Sequence, residues 1–282
     1  MGSAVQVAGL AFDVRDLGPQ GGEVVLALHG FPQTSWSWRH VWPALTAAGY
    51  RVVAPDQRGY SPGARPVGAG HYAMAAVVSD ALGLLDRLGA ERAHLLGHDW
   101  GAAVAWQIAA RHPERVETLT AVSVPHPLAF AEALRSDPDQ RQRSRYMREF
   151  AVPGAEDALL ADDAAGLRAL FAGDGGTVDV EQVLSVVAEP AVLRRCLDWY
   201  AAQSSSDLEG LGPVTVPTTY VWSDRDLALG RVAAEATGSH VAAPYRFEVL
   251  PGVSHWVPEQ APDALVELVL ERLRSAGQGR AA

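Results

Sequence analysis

Apolar positions along this chain come in two rhythms that take turns. Short, largely apolar runs at Val24 to Leu28, Arg51 to Ala54 and Ala93 to Leu96, with the more mixed Val116 to Val122, predict strands of a sheet covered on both faces. Between them, apolar residues recur at helical spacing from Trp38 to Ala48, from Met74 to Leu88 and from Trp100 to Arg111, with Gly49 and Gly89 as stop signals for the first two. Two alternating stretches, around Val5 to Val7 and Phe12 to Arg15, come first, and Gly18-Pro19-Gln20-Gly21-Gly22 reads as a turn after them. Strands alternating with helices imply right-handed crossovers and a largely parallel sheet with helices on both faces.

The rhythm changes between about Pro125 and Pro213, where only helical patterns remain, broken at Pro153-Gly154 and Gly173-Asp174-Gly175-Gly176. The sheet pattern then resumes with strands at Thr215 to Trp222 and Tyr245 to Leu250 and helices at Leu229 to Thr237 and Pro262 to Arg274. The expected organisation is a core of residues 1–125 and 213–282, with 126–212 inserted as a helical lid over one end of the sheet. Gly277 to Ala282 are expected to fray.

Composition narrows the chemistry. All 23 basic side chains are Arg, Cys196 is the single cysteine, and the net charge is -10. Without Lys there is no Schiff base and no P-loop lysine, and one Cys closes no internal disulfide and builds no Cys-based zinc site. The acidic excess argues against nucleic acid, and the short cluster Arg141, Arg143, Arg145 and Arg148 reads as a solvated helix face. No stretch approaches the ~18 apolar residues of a membrane helix, and the first residues carry no secretory pattern. Gln6 rules out a myristoylation signal at Met1-Gly2. A soluble cytoplasmic protein is expected, monomeric or a homodimer.

Gly97-His98-Asp99-Trp100-Gly101 lies between a buried strand and an Ala-rich helix, the context of a nucleophile elbow. An Asp at its centre cannot run serine-esterase chemistry, but its carboxylate can attack an electrophilic carbon to form an ester. Asp99 could equally be a helix N-cap, and the remaining chemistry breaks the tie. Gly59-Tyr60-Ser61-Pro62-Gly63 imitates a serine elbow by spelling only, since Pro62 and Pro66 forbid the helix that must follow. An ester intermediate needs a base to activate water. His255, in the loop after the last strand and at the sheet edge where the elbow lies, is the best placed of nine histidines. His29 is expected to shape its loop. His94 and His98 sit on a strand and a turn, so their side chains do not converge on a metal. Asp226 is the expected acid behind His255, with Asp224 as the alternative in the same loop.

These residues resemble the α/β-hydrolase superfamily, and within it the epoxide hydrolases, over nearly the whole chain. His29-Gly30-Phe31-Pro32 resembles the family's oxyanion loop, with Trp36-Ser37-Trp38-Arg39 behind it. Gly97 to Ala102 resembles the Asp elbow, and Asp226 and His255 fall in the acid and base positions. Tyr146, seven residues before Pro153-Gly154, and Tyr200 in Leu197-Asp198-Trp199-Tyr200 look like the two tyrosines that this family aims at the epoxide oxygen. The resemblance implies a mostly parallel eight-stranded sheet and a cis Phe31-Pro32 peptide. It further implies backbone N–H stabilisation from Phe31 and Trp100, and pocket walls from Trp36, Trp100 and Trp256. A small-molecule epoxide, without metal or organic cofactor, is the implied substrate. A lone Tyr in a lid helix is ordinarily an amphipathic core residue, and the spacing of two favours the functional reading.

Two other readings compete. A haloalkane dehalogenase uses the same Asp99 and His255, and Trp100 could hold its halide, but Phe31 supplies no second donor and the tyrosines would be idle. A hydrolase-fold protein that binds a ligand without turning it over is the other, since fold alone does not establish activity.

Overall fold

The computed structural model of the chain describes residues 3–279. Eight strands are described: β1 Ser3–Val7, β2 Leu10–Leu17, β3 Val24–Leu28, β4 Arg51–Pro55, β5 Ala93–His98, β6 Val116–Val122, β7 Thr218–Ser223 and β8 Tyr245–Leu250. They form one sheet in the order β1-β2-β4-β3-β5-β6-β7-β8. The first two pairings, β1 with β2 and β2 with β4, are antiparallel, and the rest are parallel.

Residues of β3 alternate between two cores, as a period of two requires. Leu26 and Leu28 join Leu84, Trp106 and Tyr220 on one face, while Val25 and Ala27 join Trp38, Leu45, Leu265 and Val269 on the other. The helices α1 (Trp42–Ala47), α2 (Met74–Arg87) and α3 (Trp100–Arg111) cover these faces. Between β6 and β7 come α4 (Pro127–Ser136), α5 (Pro138–Arg143), α6 (Arg145–Ala151), α7 (Ala155–Ala169), α8 (Val180–Val187) and α9 (Pro190–Ala201). Then follow α10 (Arg231–Ala236), α11 (Val257–Gln260) and α12 (Pro262–Gly279).

The inserted helices share a separate apolar cluster. Leu167, Val187, Leu193 and Leu197 meet Phe31, Tyr60 and Trp256 of the sheet side there. One link ties α9 to the sheet side and another to its own layer. The Trp199 indole N–H donates to Arg58 O at 2.9 Å, and Arg194 pairs with Glu156 of α7 at 3.0 Å. Cys196 is free and buried in the same cluster.

Three boundaries differ from the sequence pattern by three residues or more. The helix predicted from Trp38 starts at Trp42, because Pro43 lacks the N–H that a longer helix would bond to Arg39; Ser35–Trp38 is instead a 3-10 turn. β7 starts at Thr218, after Pro217, and Val214 makes only an isolated bridge to Val241. α12 continues through Gly279, past the Gly277 where fraying was expected; residues 280–282 of that expectation, and Met1-Gly2, lie outside the described residues.

Candidate active site

Strand β5 ends at His98 and α3 begins at Trp100, so Asp99 alone makes the turn. Its backbone is forced to φ 51, ψ -122, a conformation that costs a non-glycine residue about 1–3 kcal/mol. The flanking glycines explain how strand and helix come close enough. A Cβ on Gly97 would lie 2.4 Å from Gly101 O, and one on Gly101 would lie 2.0 Å from Leu28 O. The N-cap alternative fails on geometry, since the Asp99 side chain makes no cap bond to α3. Its Oδ1 instead accepts the Phe31 N–H at 2.8 Å, from the loop after β3. That loop is held by His29, whose Nε2 accepts from Gln57 N–H at 2.9 Å, and the Phe31-Pro32 peptide is cis. Gly30 must be bare, because a Cβ there would meet the Asp99 carboxylate at 2.3 Å.

His255 closes the constellation. Its Nε2 stands 3.5 Å from Asp99 Oδ2, and its Nδ1–H donates to Asp226 Oδ2 at 2.8 Å. Asp226 Oδ1 accepts two backbone N–H groups, from Ala228 at 2.8 Å and Leu229 at 3.0 Å. Asp224 is exposed and accepts from Gly252 N–H at 2.7 Å, so it shapes a turn away from His255.

The charges follow from this geometry. Burial lowers His255, but the charge and hydrogen bond of Asp226, then those of Asp99, outweigh it and push the ring up to about 10. Burial raises Asp99, yet the His255 hydrogen bond and charge, with the Trp100 backbone N–H, hold it below the ordinary aspartate value. The resting site is therefore an imidazolium between two carboxylates. Neighbouring His98 is brought down to about 4 by burial and by the His255 charge; neutral, it donates from Nε2 to His255 O at 2.9 Å.

Above Asp99, Tyr146 of α6 and Tyr200 of α9 face each other with ring centroids 6.0 Å apart. Phe31 and Trp100 pack edge-on against Tyr200 at 5.4 and 5.2 Å. Burial raises both phenols far above the usual tyrosine value, and the Asp99 charge adds to it, so both keep their protons. The space around them has two lobes. One of about 350 Å³ is lined by Met74, Trp100, Phe130, Leu134 and Met147; the other, about 220 Å³, by Phe31, Phe150, Leu170, His255 and Trp256. Asp99, Tyr146 and Tyr200 line both, at the junction.

One expected wall residue is misplaced. Trp36 reaches neither lobe; it packs against Trp42 at 6.0 Å with the Arg15 guanidinium 5.1 Å from its ring. The 3-10 turn at Ser35–Trp38 points it outward and sends Trp38 into the core instead. Phe150, Phe130 and Leu134 went unnoticed in the sequence. Phe150 lies four residues after Tyr146 on one helix, and Phe130 and Leu134 are likewise four apart, a spacing that puts each pair on one face. His94 bonds Thr118 Oγ1 at 2.9 Å, far from the partners of His98, and Ser61 is a buried loop residue whose Oγ accepts from Asp13 N–H. Among the described residues no three His, Cys, Asp or Glu side chains are grouped to hold a metal ion, and no helix is long and apolar enough to cross a membrane.

Comparison with known proteins agrees with this architecture. The sequence profile of the α/β hydrolase fold matches residues 23–171. The chain is 33% identical to an AB hydrolase superfamily protein of Bacillus subtilis, over 96% of this chain and 97% of that protein. It is 32% identical to epoxide hydrolase A of Mycobacterium tuberculosis, over 95% and 96%. Among solved structures, epoxide hydrolase A of Mycobacterium thermoresistibile is similar with a TM-score of 0.85 at 30% identity, covering 97% of this chain and 98% of that one. The epoxide hydrolase of Bacillus megaterium gives 0.87 at 26% identity, over 96% and 100%. The chain belongs to the α/β-hydrolase superfamily and, within it, to the epoxide hydrolase family.

Proposed function

We propose that this protein hydrolyses an apolar epoxide to a vicinal diol through an ester on Asp99, with residues 126–212 acting as the lid that carries the two phenols. The observation that carries the reading is the junction itself. A carboxylate aligned with an imidazole and a second buried carboxylate faces two protonated phenols across an apolar cavity.

In the first step Asp99 Oδ2 attacks an epoxide carbon while Oδ1 stays on the Phe31 N–H. The carbon–oxygen bond of the ring breaks, and the oxygen takes a proton from Tyr146 or Tyr200. A phenol suits this task because it still holds its proton at neutral pH when the alkoxide develops and needs it. Esterification removes the charge of Asp99, one of the two carboxylates that raise His255, so the proton affinity of the ring falls and the imidazolium gives its proton to the phenolate, which restores the phenol and leaves His255 neutral. Neutral His255, oriented by Asp226, then takes a proton from water as the hydroxide adds to the Asp99 carboxyl carbon. The Phe31 and Trp100 N–H groups hold the oxyanion. Collapse breaks the bond to the alkyl oxygen, which takes the water-derived proton from His255; the diol leaves, and the Asp99 carboxyl proton passes to His255 to restore the resting pair.

The two lobes suit an epoxide with an apolar arm on each side, the longer in the space bounded by Phe130 and Leu134. A dehalogenase is disfavoured by the same geometry. Trp100 packs edge-on against Tyr200 at 5.2 Å, and Phe31 offers no side-chain donor for a halide. Single turnover in oxygen-18 water tests the route. Label is expected in the Asp99 carboxylate after peptide mass spectrometry; label found only in the diol would refute the covalent step.

A further inference from the structure

Gln140 on α5 is fully buried, 86 residues before Asp226 in the chain, and all the hydrogen-bonding capacity of its amide but one lone pair is spent on three partners. Its Nε2 donates to Ala228 O at 2.8 Å and to Ser144 Oγ at 2.9 Å, while Oε1 accepts the Gly230 N–H at 2.8 Å. These partners leave one orientation for the amide, because Gly230 can only donate there and the Ala228 carbonyl can only accept. Ala228 O and the Leu229 N–H belong to the same peptide plane. That N–H is one of the two that hold Asp226 Oδ1, so the amide of Gln140 sets the tilt of the plane that fixes the carboxylate. Gly230 has φ -86, open to any residue, but a Cβ there would stand 3.2 Å from Gln140 Oε1. Arg143, one turn on, adds a bond to Asp226 O at 2.5 Å and is itself held by Asp139 at 2.6 Å. The other hydrogen bonds of the 226–230 loop run within it, to β7, to α10 and to His255, such as the Trp222 indole N–H to Leu229 O at 3.1 Å.

Building on the reading of His255 as the base, we propose that Gln140 is a positioning residue of the inserted helices that sets Asp226 against His255 Nδ1. The helices above the cavity then do more than supply phenols: the packing of α5 reaches the water-activating pair through one peptide group. A buried amide that contributed only to folding would be replaceable by an apolar chain of the same length without altering His255 in the folded molecule.

The test is the titration of the His255 ring by NMR in substrate-free protein, assigned with a His255→Gln variant, in the parent and in Gln140→Met. The titratable groups facing His255 are Asp226, Asp99 and the neutral His98, with the phenols of Tyr146 and Tyr200 across the cavity and Tyr220 against Asp226. None of these changes in the variant. If Gln140 positions Asp226, the His255 midpoint falls by about one pH unit, a roughly tenfold loss of proton affinity. Hydrolysis of the alkyl-enzyme slows by a similar factor, while the burst amplitude, which counts folded sites, keeps its rate of formation. Gln140→Asn, which keeps the amide but is one methylene short, gives a smaller fall and stands in should the Met variant not fold. An unchanged or raised midpoint in either folded variant overturns the proposal. If the parent forms no alkyl-enzyme at all, the functional reading falls, and the titration still decides the role of Gln140.

Discussion

Replacing Asp226 by Asn separates the two chemical steps. Two backbone N–H groups, from Ala228 at 2.8 Å and Leu229 at 3.0 Å, converge on Oδ1. In the variant that position accepts only the amide oxygen, so the NH2 group is driven to the place of Oδ2, facing His255 Nδ1. The imidazole must then offer its Nδ1 lone pair and carry its proton on Nε2, the nitrogen that has to receive one from water. Reversing a tautomer in this way lowers the rate of the base-dependent step by about 10⁴-fold, or about 5.5 kcal/mol at 1.36 kcal/mol per decade. Attack by Asp99 needs no base, and Oδ1 of Asp99 keeps its Phe31 N–H. Alkylation is therefore expected within roughly tenfold of the parent. Rapid-quench mass spectrometry should show a full burst of alkylated Asp99 that persists, with steady turnover nearly lost. Turnover within tenfold of the parent, or loss of the burst together with turnover, would refute the assignment. Asp224→Asn, which disturbs only the Gly252 turn, should leave both steps intact.

The Tyr146→Phe, Tyr200→Phe double variant is expected to slow ring opening at least 10²-fold, the usual worth of a general acid; stopped-flow alkylation rates check it, and an unchanged rate removes the phenols from the mechanism. Gly101→Ala should give no folded, alkylatable protein, because its Cβ would lie 2.0 Å from backbone at Leu28; a circular dichroism melt like the parent's would contradict that. Stability should fall on both sides of pH 6.5. His255, raised to about 10 when folded, stabilises fully below 6.5 and loses that contribution as pH climbs toward 10, so His255→Gln should flatten the alkaline arm of urea-denaturation data. His126 runs the other way: burial and the stacked His240 bring it down to about 3, so the unfolded chain binds the extra proton and stability is lost from pH 6.5 downward. His126→Asn, which keeps an acceptor for the Leu128 N–H capping α4, should recover up to about 2–3 kcal/mol at pH 4.5, and identical acid arms would argue against a buried neutral ring.

The chain by itself determined what is local. Apolar runs of strand length separated by helical periods dictate a layered α/β sheet, because each buried strand must be covered on both faces. The elbow was readable because a turn between strand and helix needs glycines two positions either side of Asp99, a requirement confined to five consecutive residues. What the chain left open depended on contacts between distant segments. Asp224 and Asp226 are equivalent as letters; the pairing of β7 with β8 brings the loop of His255 beside that of Asp226 and turns Asp224 to Gly252. Trp36 looked like a pocket wall, and only the 3-10 turn forced by Thr34 and Pro43 shows that its neighbour Trp38 goes inward while it does not. The division of the cavity into two lobes and the reach of Gln140 to the Asp226 loop have no spacing signature at all, because each joins residues that only the packing of the inserted helices on the sheet brings together.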